Sequence, residues 1–350
     1  MSLTCPLYIT GGEETVILPP YIYLGPQGEI YHCCTEEEFT TPQIGEITLS
    51  TSHDSGYGEP NLECFESVVE WRAQKLAVYS PYGHSSAENI ADGQNTGFEE
   101  YIDNIYKHRL SAERRFHPHR CLAMQSEVTP GMRGLLVNWI SKIHHQLALN
   151  QDTLFLTVNI IDRILACKRL SADGLQLLGL TCLLVASKQE EVTPPEIQEL
   201  FEVSTVNYSR EELKTLERHV LMAIGFDLFI PTSQYFLEHF ATLCLSQAYG
   251  FENDKLREAR AFSRCILELS LQDYDLCQFR PSLVALCMWK VAIEHIGVLD
   301  GDFFPDGIYC TRGQYDKCLE ECRVFSKNLK TSFPDISSLS DRFRFINGFD

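Results

Sequence analysis

Two stretches of this sequence are apolar on nearly every side of a helix, and they limit the folds open to the chain. One covers residues 175–185 and the other covers residues 283–293. A helix of this kind must be enclosed by other helices or by lipid. Each stretch is shorter than the ~20 apolar residues that cross a bilayer. We therefore expect each to be the central helix of its own helical bundle.

Amphipathic segments with short polar breaks surround both apolar stretches, and their order repeats. The predicted helices are 98–115, then 130–148, 151–167, 171–189, a short one from Pro194 and 209–224, then 232–245, 254–271, 281–296, a short one near Phe303 and 313–329. Ser209 and Ser171 are predicted N-caps, and Pro194 suits a first helical turn. The sequence predicts an all-α fold of two consecutive five-helix units, preceded by an N-terminal helix.

Residues 1–97 differ in composition and are rich in Gly, Pro, Ser, Thr and Glu. They show no sustained hydrophobic period apart from a possible helix at 64–78. Through Asn95 there are two basic and fourteen acidic residues, so 2 − 14 = −12 of the net charge of −19 lies here. We expect an acidic, largely disordered N-terminal region over 1–97. The predicted folded units are 98–225 and 226–331, and a tail follows at 332–350.

Composition excludes several classes of protein. A net charge of −19 is unsuited to phosphate backbones, so no nucleic-acid partner is expected. No apolar run or secretory signal is visible, which predicts a soluble protein of the cytoplasm or nucleus with no membrane partner. The fourteen cysteines contain no C-x-x-C pair, so we expect reduced, mostly buried thiols and no metal. No catalytic set or phosphate-binding glycine loop indicates an enzyme, and no cofactor is expected.

Three motifs of the first unit resemble the cyclin box. They are MRGLLVNW at 132–139, VNIIDR at 158–163, and LLVASKQEE at 183–191 followed by PPE at 194–196. The resemblance covers residues 98–329, approximately. It implies two cyclin folds and the role of a regulatory subunit that binds and activates a cyclin-dependent serine/threonine kinase, with all catalysis left to the kinase.

The resemblance also implies a kinase-binding surface. By residue type alone, Lys188 and Glu217 would be solvated charges at helix ends and faces. In cyclins, the matching lysine and glutamate hydrogen-bond to kinase main chain. The other implied kinase-binding residues are Val185, Leu221, Phe226 and Leu228, which form an apolar socket, together with Tyr101 and Ile105 on the N-terminal helix. Gln189 stands where many cyclins have an aromatic residue, and it leaves the kinase's identity open.

A second surface is implied by a helical stripe with the spacing i, i+3, i+4 and i+7. Its members are Met132, Leu135, Leu136 and Trp139, and spacing alone favours a core stripe. In cyclins the matching stripe, with a glutamine here matched by Gln176, is a groove that docks Arg-x-Leu motifs of substrates and inhibitors. An acidic residue of that groove normally meets the arginine, but this chain has Lys142. We therefore expect weak or altered Arg-x-Leu docking.

A structural ion pair and a branch of the family are implied as well. Arg133 and Asp162 match a buried pair between cyclin helices. The segments FHP at 116–118, FLEHF at 236–240 and ELSLQDY at 268–274 resemble the cyclin O branch, which implies a role in centriole amplification besides cell-cycle control.

Two rival hypotheses for the function remain. One is a DNA-binding general transcription factor of the TFIIB type, which shares the fold, and the other is a cyclin-fold scaffold without kinase activation.

Overall fold

The computed structural model describes residues 22–24, 30–32, 96–247, 251–297, 305, 308 and 310–329. Ten α-helices lie in this part of the chain: α1 Thr96–Phe116, α2 Pro130–Gln146, α3 Gln151–Cys167, α4 Leu175–Glu190, α5 Ile197–Ser204, α6 Arg210–Ala223, α7 Ser233–Gln247, α8 Phe251–Ser270, α9 Pro281–Ile296 and α10 Arg312–Lys327. Short 3₁₀ turns at Ala172–Gly174 and Leu276–Gln278 lead into α4 and α9. We refer to α2–α6 as the first repeat and to α7–α10 as the second repeat.

A short β-hairpin near the N-terminus was not predicted. Strands β1 (Ile22–Leu24) and β2 (Ile30–His32) pair antiparallel, with Tyr23 opposite Tyr31. Three residues per strand give too little alternation for a period-2 signal. Four predicted features lie outside the described residues. They are the rest of the acidic region at 1–97 up to Asn95, the possible helix at 64–78, the short helix near Phe303 and the tail at 332–350.

The two all-apolar stretches are central helices, as predicted. In α4 the buried residues run from Leu175 to Ser187 and are interrupted only by Gln176. In α9 they run from Ser282 to Ile293 and are interrupted only by Lys290. Each helix is wrapped by its neighbours, and each belongs to a separate apolar cluster. The prediction of an all-helical fold built around two enclosed helices is confirmed for the helical part of the chain.

The predicted helix starts were right at Ser209 and in position at Ser171, and wrong at Pro194. Ser209 caps α6 in a capping box, because its Oγ accepts from the Glu212 amide at 3.1 Å and Glu212 reaches back to its N–H. Ser171 stands at the N-cap position of the 3₁₀ turn that leads into α4, but its side chain makes no capping hydrogen bond. Pro194 does not open a helix: α5 begins at Ile197, and Glu196 is its cap. A residue that precedes proline is driven to extended backbone, which keeps Pro194 out of the helix.

Helix α1 packs against the second repeat, although it directly precedes the first in sequence. Tyr106 is buried there, and its ring stacks on His239 with centroids 4.3 Å apart. Glu113 is 3% exposed and accepts hydrogen bonds from the amide (3.1 Å) and hydroxyl (2.9 Å) of Ser282. A carboxyl group at this position satisfies the free N–H of Ser282 in the first turn of α9. Helix α1 thereby links the second repeat, on which it packs, to the first repeat, which follows it in sequence.

Glu113 should make stability depend on pH in a direction opposite to most carboxylates. Burial raises its pKa, and the Ser282 hydrogen bonds offset this only in part. Its contribution to stability is therefore present below the ordinary pKa and is lost as pH rises toward the raised folded value. We expect the free energy of unfolding, measured with urea from pH 4 to 7, to fall less with rising pH in Glu113→Gln than in the wild type. Glu320→Gln, the same change at an exposed position of α10, is the control and should leave the slope unaltered.

Arg133 and Asp162 join α2 to α3 and tie both to the second repeat. The guanidinium Nε and Nη2 each lie 2.7 Å from one oxygen of Asp162, and Nη1 donates to the Leu271 carbonyl at 2.9 Å. Arg133 is completely buried. Burial opposes the charged guanidinium, but the adjacent Asp162 carboxylate outweighs it and raises the pKa of Arg133. The pair fixes the seam between the two repeats.

Candidate functional site

Lys188 and Glu217 meet at one end of the first repeat. Lys188 lies in the last turn of α4 and Glu217 lies in the middle of α6, and Lys188 Nζ is 2.5 Å from Glu217 Oε1. The Lys188 side chain is 48% exposed, whereas that of Glu217 is 15% exposed. A lysine near a helix C-terminus is favoured by the helix dipole. Residue types and spacing alone do not indicate that these two side chains pair with one another.

The pair leaves hydrogen-bonding capacity unused at the surface. An ammonium group has three donors, and a carboxylate has about four acceptor sites, so one mutual bond occupies a small part of both. The arrangement presents a donor and an acceptor side by side. This combination matches the exposed N–H and C=O of a peptide backbone, and each such bond would be charge-assisted.

An apolar rim is formed by the last turn of α6 and the linker that follows it. Phe226 is 65% exposed, and Leu221 and Leu228 are half-buried. Val185, which we expected in the same socket, is 2% exposed and packs in the core beneath this surface. It occupies the buried side of α4 because the helix is enclosed almost all round. An exposed phenylalanine beside partly covered leucines is typical of a contact surface for another protein.

The backbone of this linker is strained and held in place. Gly225 and Phe226 both have left-handed backbone, with φ of 66° and 57°. That region is rare for a bulky residue such as phenylalanine. Arg163 of α3 donates to the carbonyls of Asp227 at 2.7 Å and Ile224 at 3.0 Å, and Arg115 pairs with the Asp227 carboxylate at 2.5 Å. These contacts fix the linker and hold the Phe226 ring out toward solvent.

The structure places the remaining predicted contacts on α4 and α1. Gln189 is exposed directly beside Lys188. Ile105 is half-buried on α1, and Tyr101 belongs to the same helix, but its side chain lies outside the described residues. The apolar rim together with the Lys188–Glu217 pair and Gln189 is called the end surface below.

Sequence reasoning missed Phe229 and Arg109. Phe229 is 65% exposed, and the Arg109 guanidinium lies 3.8 Å from its ring centroid and 4.8 Å from that of Tyr235. Arg109 also donates to the Ile230 carbonyl at 2.9 Å. A guanidinium held between two rings by cation–π attraction is an ordered feature. The only sequence signal of this cluster is the aromatic residue at the end of FDLF, residues 226–229, because Arg109 is distant in the sequence.

The predicted groove residues lie on α2 and the start of α4. Leu135 is 67% exposed, Met132 and Trp139 are half-buried, and Leu136 is buried beneath them. A Cβ on Gly179 would lie 2.9 Å from Leu136 Cδ1, so the absence of a side chain at Gly179 permits the close approach of α4 to α2. Gln176, half-buried one turn before Gly179, and Lys142, exposed further along α2, complete the set. The stripe that spacing alone assigned to the core is therefore partly open.

Ten of the fourteen cysteines lie in the described part of the chain. The ten cysteines there are free, and six of them are buried. Among the same residues, no group of three or more His, Cys, Asp or Glu side chains could hold a metal ion. None of the helices described above has the length and apolarity needed to span a bilayer.

Two models of one protein family match consecutive parts of the chain. The cyclin N-terminal domain matches residues 104–229, and the cyclin C-terminal domain matches residues 231–323. The chain is a cyclin. The two matches meet in the linker between α6 and α7, so each domain contains one of the enclosed central helices.

Individual cyclins are similar over a little more than half of this chain. Human Cyclin-O is 39% identical over 206 residues, which are 59% of this chain and 59% of that protein. Cyclin-O protein B of Xenopus laevis is 36% identical over 197 residues, or 56% of this chain and 54% of that protein. This cyclin thus matches less than two thirds of either relative. A viral cyclin from herpesvirus saimiri superposes with a TM-score of 0.47 at 20% identity, covering 67% of this chain and 97% of the viral one.

Proposed function

We propose that this cyclin is a regulatory subunit that binds and activates a cyclin-dependent serine/threonine kinase through the end surface. The observation that carries the proposal is the ion pair between half-exposed Lys188 and largely buried Glu217, together with the exposed Phe226 on the fixed linker after α6. Charged donors and acceptors next to an aromatic anchor are the ingredients of an interface centre. The membership in the cyclin family supplies the class of partner.

The kinase contact follows from the chemistry of the pair. Lys188 keeps donors for a main-chain carbonyl, and Glu217 keeps lone pairs for a main-chain N–H. Because each charge already neutralises the other, docking a kinase over them leaves no isolated charge in a water-poor interface. Phe226, Leu221 and Leu228 would cover the apolar face of the kinase helix that carries the active-site glutamate.

Activation would result from holding that kinase helix inward. In this position its glutamate pairs with the lysine that orients the ATP phosphates, and the activation segment can order. The cyclin activates the kinase only by binding its active arrangement more tightly than its inactive arrangement. A rigid platform is needed for this, and the buried Arg133–Asp162 pair and the Arg163 contacts to the linker provide rigidity.

A binding and activity assay on purified cyclin-dependent kinases tests the proposal. We expect the wild-type chain to capture at least one kinase of the panel and to raise its rate of histone phosphorylation. The matched control is Lys327→Ala, which removes an exposed lysine from α10 in the second repeat and should change neither result. Capture without any rise in rate would favour the scaffold role, and failure to capture any kinase of the panel would refute the proposal.

The likeness to Cyclin-O extends this proposal to centriole amplification in multiciliated cells. Depletion of the protein from such cells should lower the number of basal bodies per cell. Re-expression of the wild type should restore that number, whereas a Lys188→Ala, Glu217→Ala double variant should not. Rescue by the double variant would mean that this cellular role does not require the end surface.

A further inference from the structure

Two cysteines meet at the seam between the repeats. Cys121 lies in the segment that leads from α1 to α2, and Cys277 lies in the 3₁₀ turn that leads into α9. They are far apart in the sequence, but their thiols are hydrogen-bonded to one another. Cys121 is completely buried, whereas Cys277 is partly exposed. The thiol pair therefore connects the start of the first repeat with the second repeat.

Hydrogen bonds on both sides of the two cysteines hold their chain segments together. The backbone N–H of Arg120 donates to Gln278 Oε1 at 2.9 Å, and the backbone of Leu122 is hydrogen-bonded to the Tyr274 side chain. His117 Nε2 lies 3.0 Å from the Gln278 carbonyl oxygen. The packing of these two segments thus fixes the contact between the thiols.

A small polar cavity at the seam reaches Cys277. Its volume is about 80 Å³, and Cys277, Asn159 and Arg133 are among the residues that line it. Asn159 Oδ1 is buried but accepts no hydrogen bond within the described residues, so a small molecule with an O–H group would satisfy it. At ~30 Å³ per water molecule, the cavity has room for about two or three oxygen atoms with their hydrogens. Hydrogen peroxide, with two oxygens and two O–H donors, fits this size and polarity.

The surroundings of the two sulfurs differ, and this sets the order of reaction. The hydrogen bond to Cys277 and, after it, burial raise the pKa of the Cys121 thiol. Cys121 Sγ also lies 3.5 Å from Asp162 Oδ1, and a neighbouring carboxylate opposes a second negative charge. The Cys277 sulfur is partly exposed, lines the cavity and accepts a hydrogen bond from Gln278 Nε2 at 3.3 Å. Cys277 is therefore the sulfur that reacts first, and Cys121 is its protonated partner.

We propose that hydrogen peroxide oxidises Cys121 and Cys277 to a disulfide that joins the two repeats covalently. The Cys277 sulfur attacks one peroxide oxygen, the O–O bond breaks, and the departing hydroxide takes the Cys277 proton and leaves as water. Cys277 is then a sulfenic acid. The Cys121 sulfur attacks the Cys277 sulfur, the S–O bond breaks, and the hydroxyl group leaves as water with the Cys121 proton. Two thiols are oxidised to one disulfide, and one peroxide is reduced to two water molecules.

The disulfide would strengthen the seam that the Arg133–Asp162 pair already holds. It closes a loop that contains all of α2–α8, and a cross-link across so long a loop lowers the entropy of the unfolded chain. We expect the oxidised protein to unfold at a urea midpoint about 1 M above that of the reduced protein. A thiol reductant reverses the change by thiol–disulfide exchange. This inference goes beyond kinase binding and does not depend on it.

Peptide mapping of the full chain after brief treatment with hydrogen peroxide tests the proposal. The protein is first reduced and freed of reductant, and after the treatment its remaining thiols are alkylated before digestion. We expect one peptide pair linked through Cys121 and Cys277, together with the higher urea midpoint in the same sample. Dithiothreitol should reverse both results. Cys167→Ser, a change at another partly exposed cysteine, is the control and should alter neither.

Two serine variants test the order of the steps. In Cys121→Ser the sulfenic acid at Cys277 has no partner thiol, so dimedone should label Cys277. In Cys277→Ser the buried Cys121 should remain unlabelled. If either variant fails to fold, the peptide map of the wild type still decides whether the disulfide forms.

Three outcomes would overturn the proposal. The first is a wild-type chain in which Cys167 is oxidised while Cys121 and Cys277 both remain thiols. The second is a disulfide between Cys277 and a cysteine other than Cys121. The third is a chain linked through Cys121 and Cys277 that unfolds at the urea midpoint of the reduced protein, because the disulfide would then not strengthen the seam.

Discussion

Replacement of Lys188 by alanine is expected to weaken the complex with a cyclin-dependent kinase by about fivefold to a thousandfold. The loss corresponds to roughly 1 to 4 kcal/mol, since it removes a charge-assisted bond and leaves Glu217 unpaired in the interface. Glu217→Ala should have an effect of similar size. Because Lys188 Nζ and Glu217 Oε1 are in contact, the two losses should not add. Titration calorimetry with a purified kinase measures the two single variants and the double variant Lys188→Ala, Glu217→Ala.

The exchanged variant Lys188→Glu, Glu217→Lys is the matched control for this prediction. It keeps an ion pair within the cyclin but presents each charge to the wrong backbone group of the kinase. We expect it to fold as stably as the wild type, because a pair with a half-exposed lysine contributes at most about 1 kcal/mol. It should nevertheless bind as poorly as the double alanine variant. Wild-type affinity in the exchanged protein would mean that the pair serves the fold and not the kinase.

Replacement of Arg133 by methionine is expected to cost about 3 to 5 kcal/mol of unfolding free energy. The Asp162 carboxylate, 5% exposed, would then stand in the core without its partner. The Leu271 carbonyl would also lose its donor, so the seam between the repeats should loosen. Urea unfolding followed by far-UV circular dichroism measures the loss. Lys142→Met, on the exposed side of the same helix, is the control and should change stability by less than about 0.5 kcal/mol.

The double variant Arg133→Met, Asp162→Leu separates charge from packing. Removal of both charges should restore much of the lost stability, since an apolar pair of similar volume avoids the desolvation cost. A double variant as unstable as Arg133→Met would show that the bond to Leu271, and not the ion pair, carries the effect. A single variant as stable as the wild type would contradict the ion-pair account altogether.

Local sequence signals predicted the elements of this fold well. The helices α4 and α9 are apolar on all sides, and no arrangement other than enclosure hides them. Ser209 with Glu212 predicts a helix start because the capping box is completed within four residues. Pro194 was misplaced because proline suits two positions, the first turn of a helix and the extended segment before it. Choosing between them requires the tertiary contacts.

Long-range pairings could not be predicted from residue types. Glu113 and Ser282 are 169 positions apart, and nothing near either residue indicates that α1 packs on the second repeat. The same limit applies to Arg109 beneath Phe229. At the candidate site, sequence supplied Lys188 and Glu217 through the family resemblance, but their mutual ion pair is set by how α4 packs on α6.

The rate of peptide phosphorylation by a purified cyclin-dependent kinase, measured alone and with increasing amounts of this cyclin, tests the central claim most directly. The account predicts a saturable rise in rate whose midpoint agrees with the calorimetric affinity and shifts in parallel with it in Lys188→Ala. A complex that forms with this affinity while the kinase remains at its basal rate would contradict it.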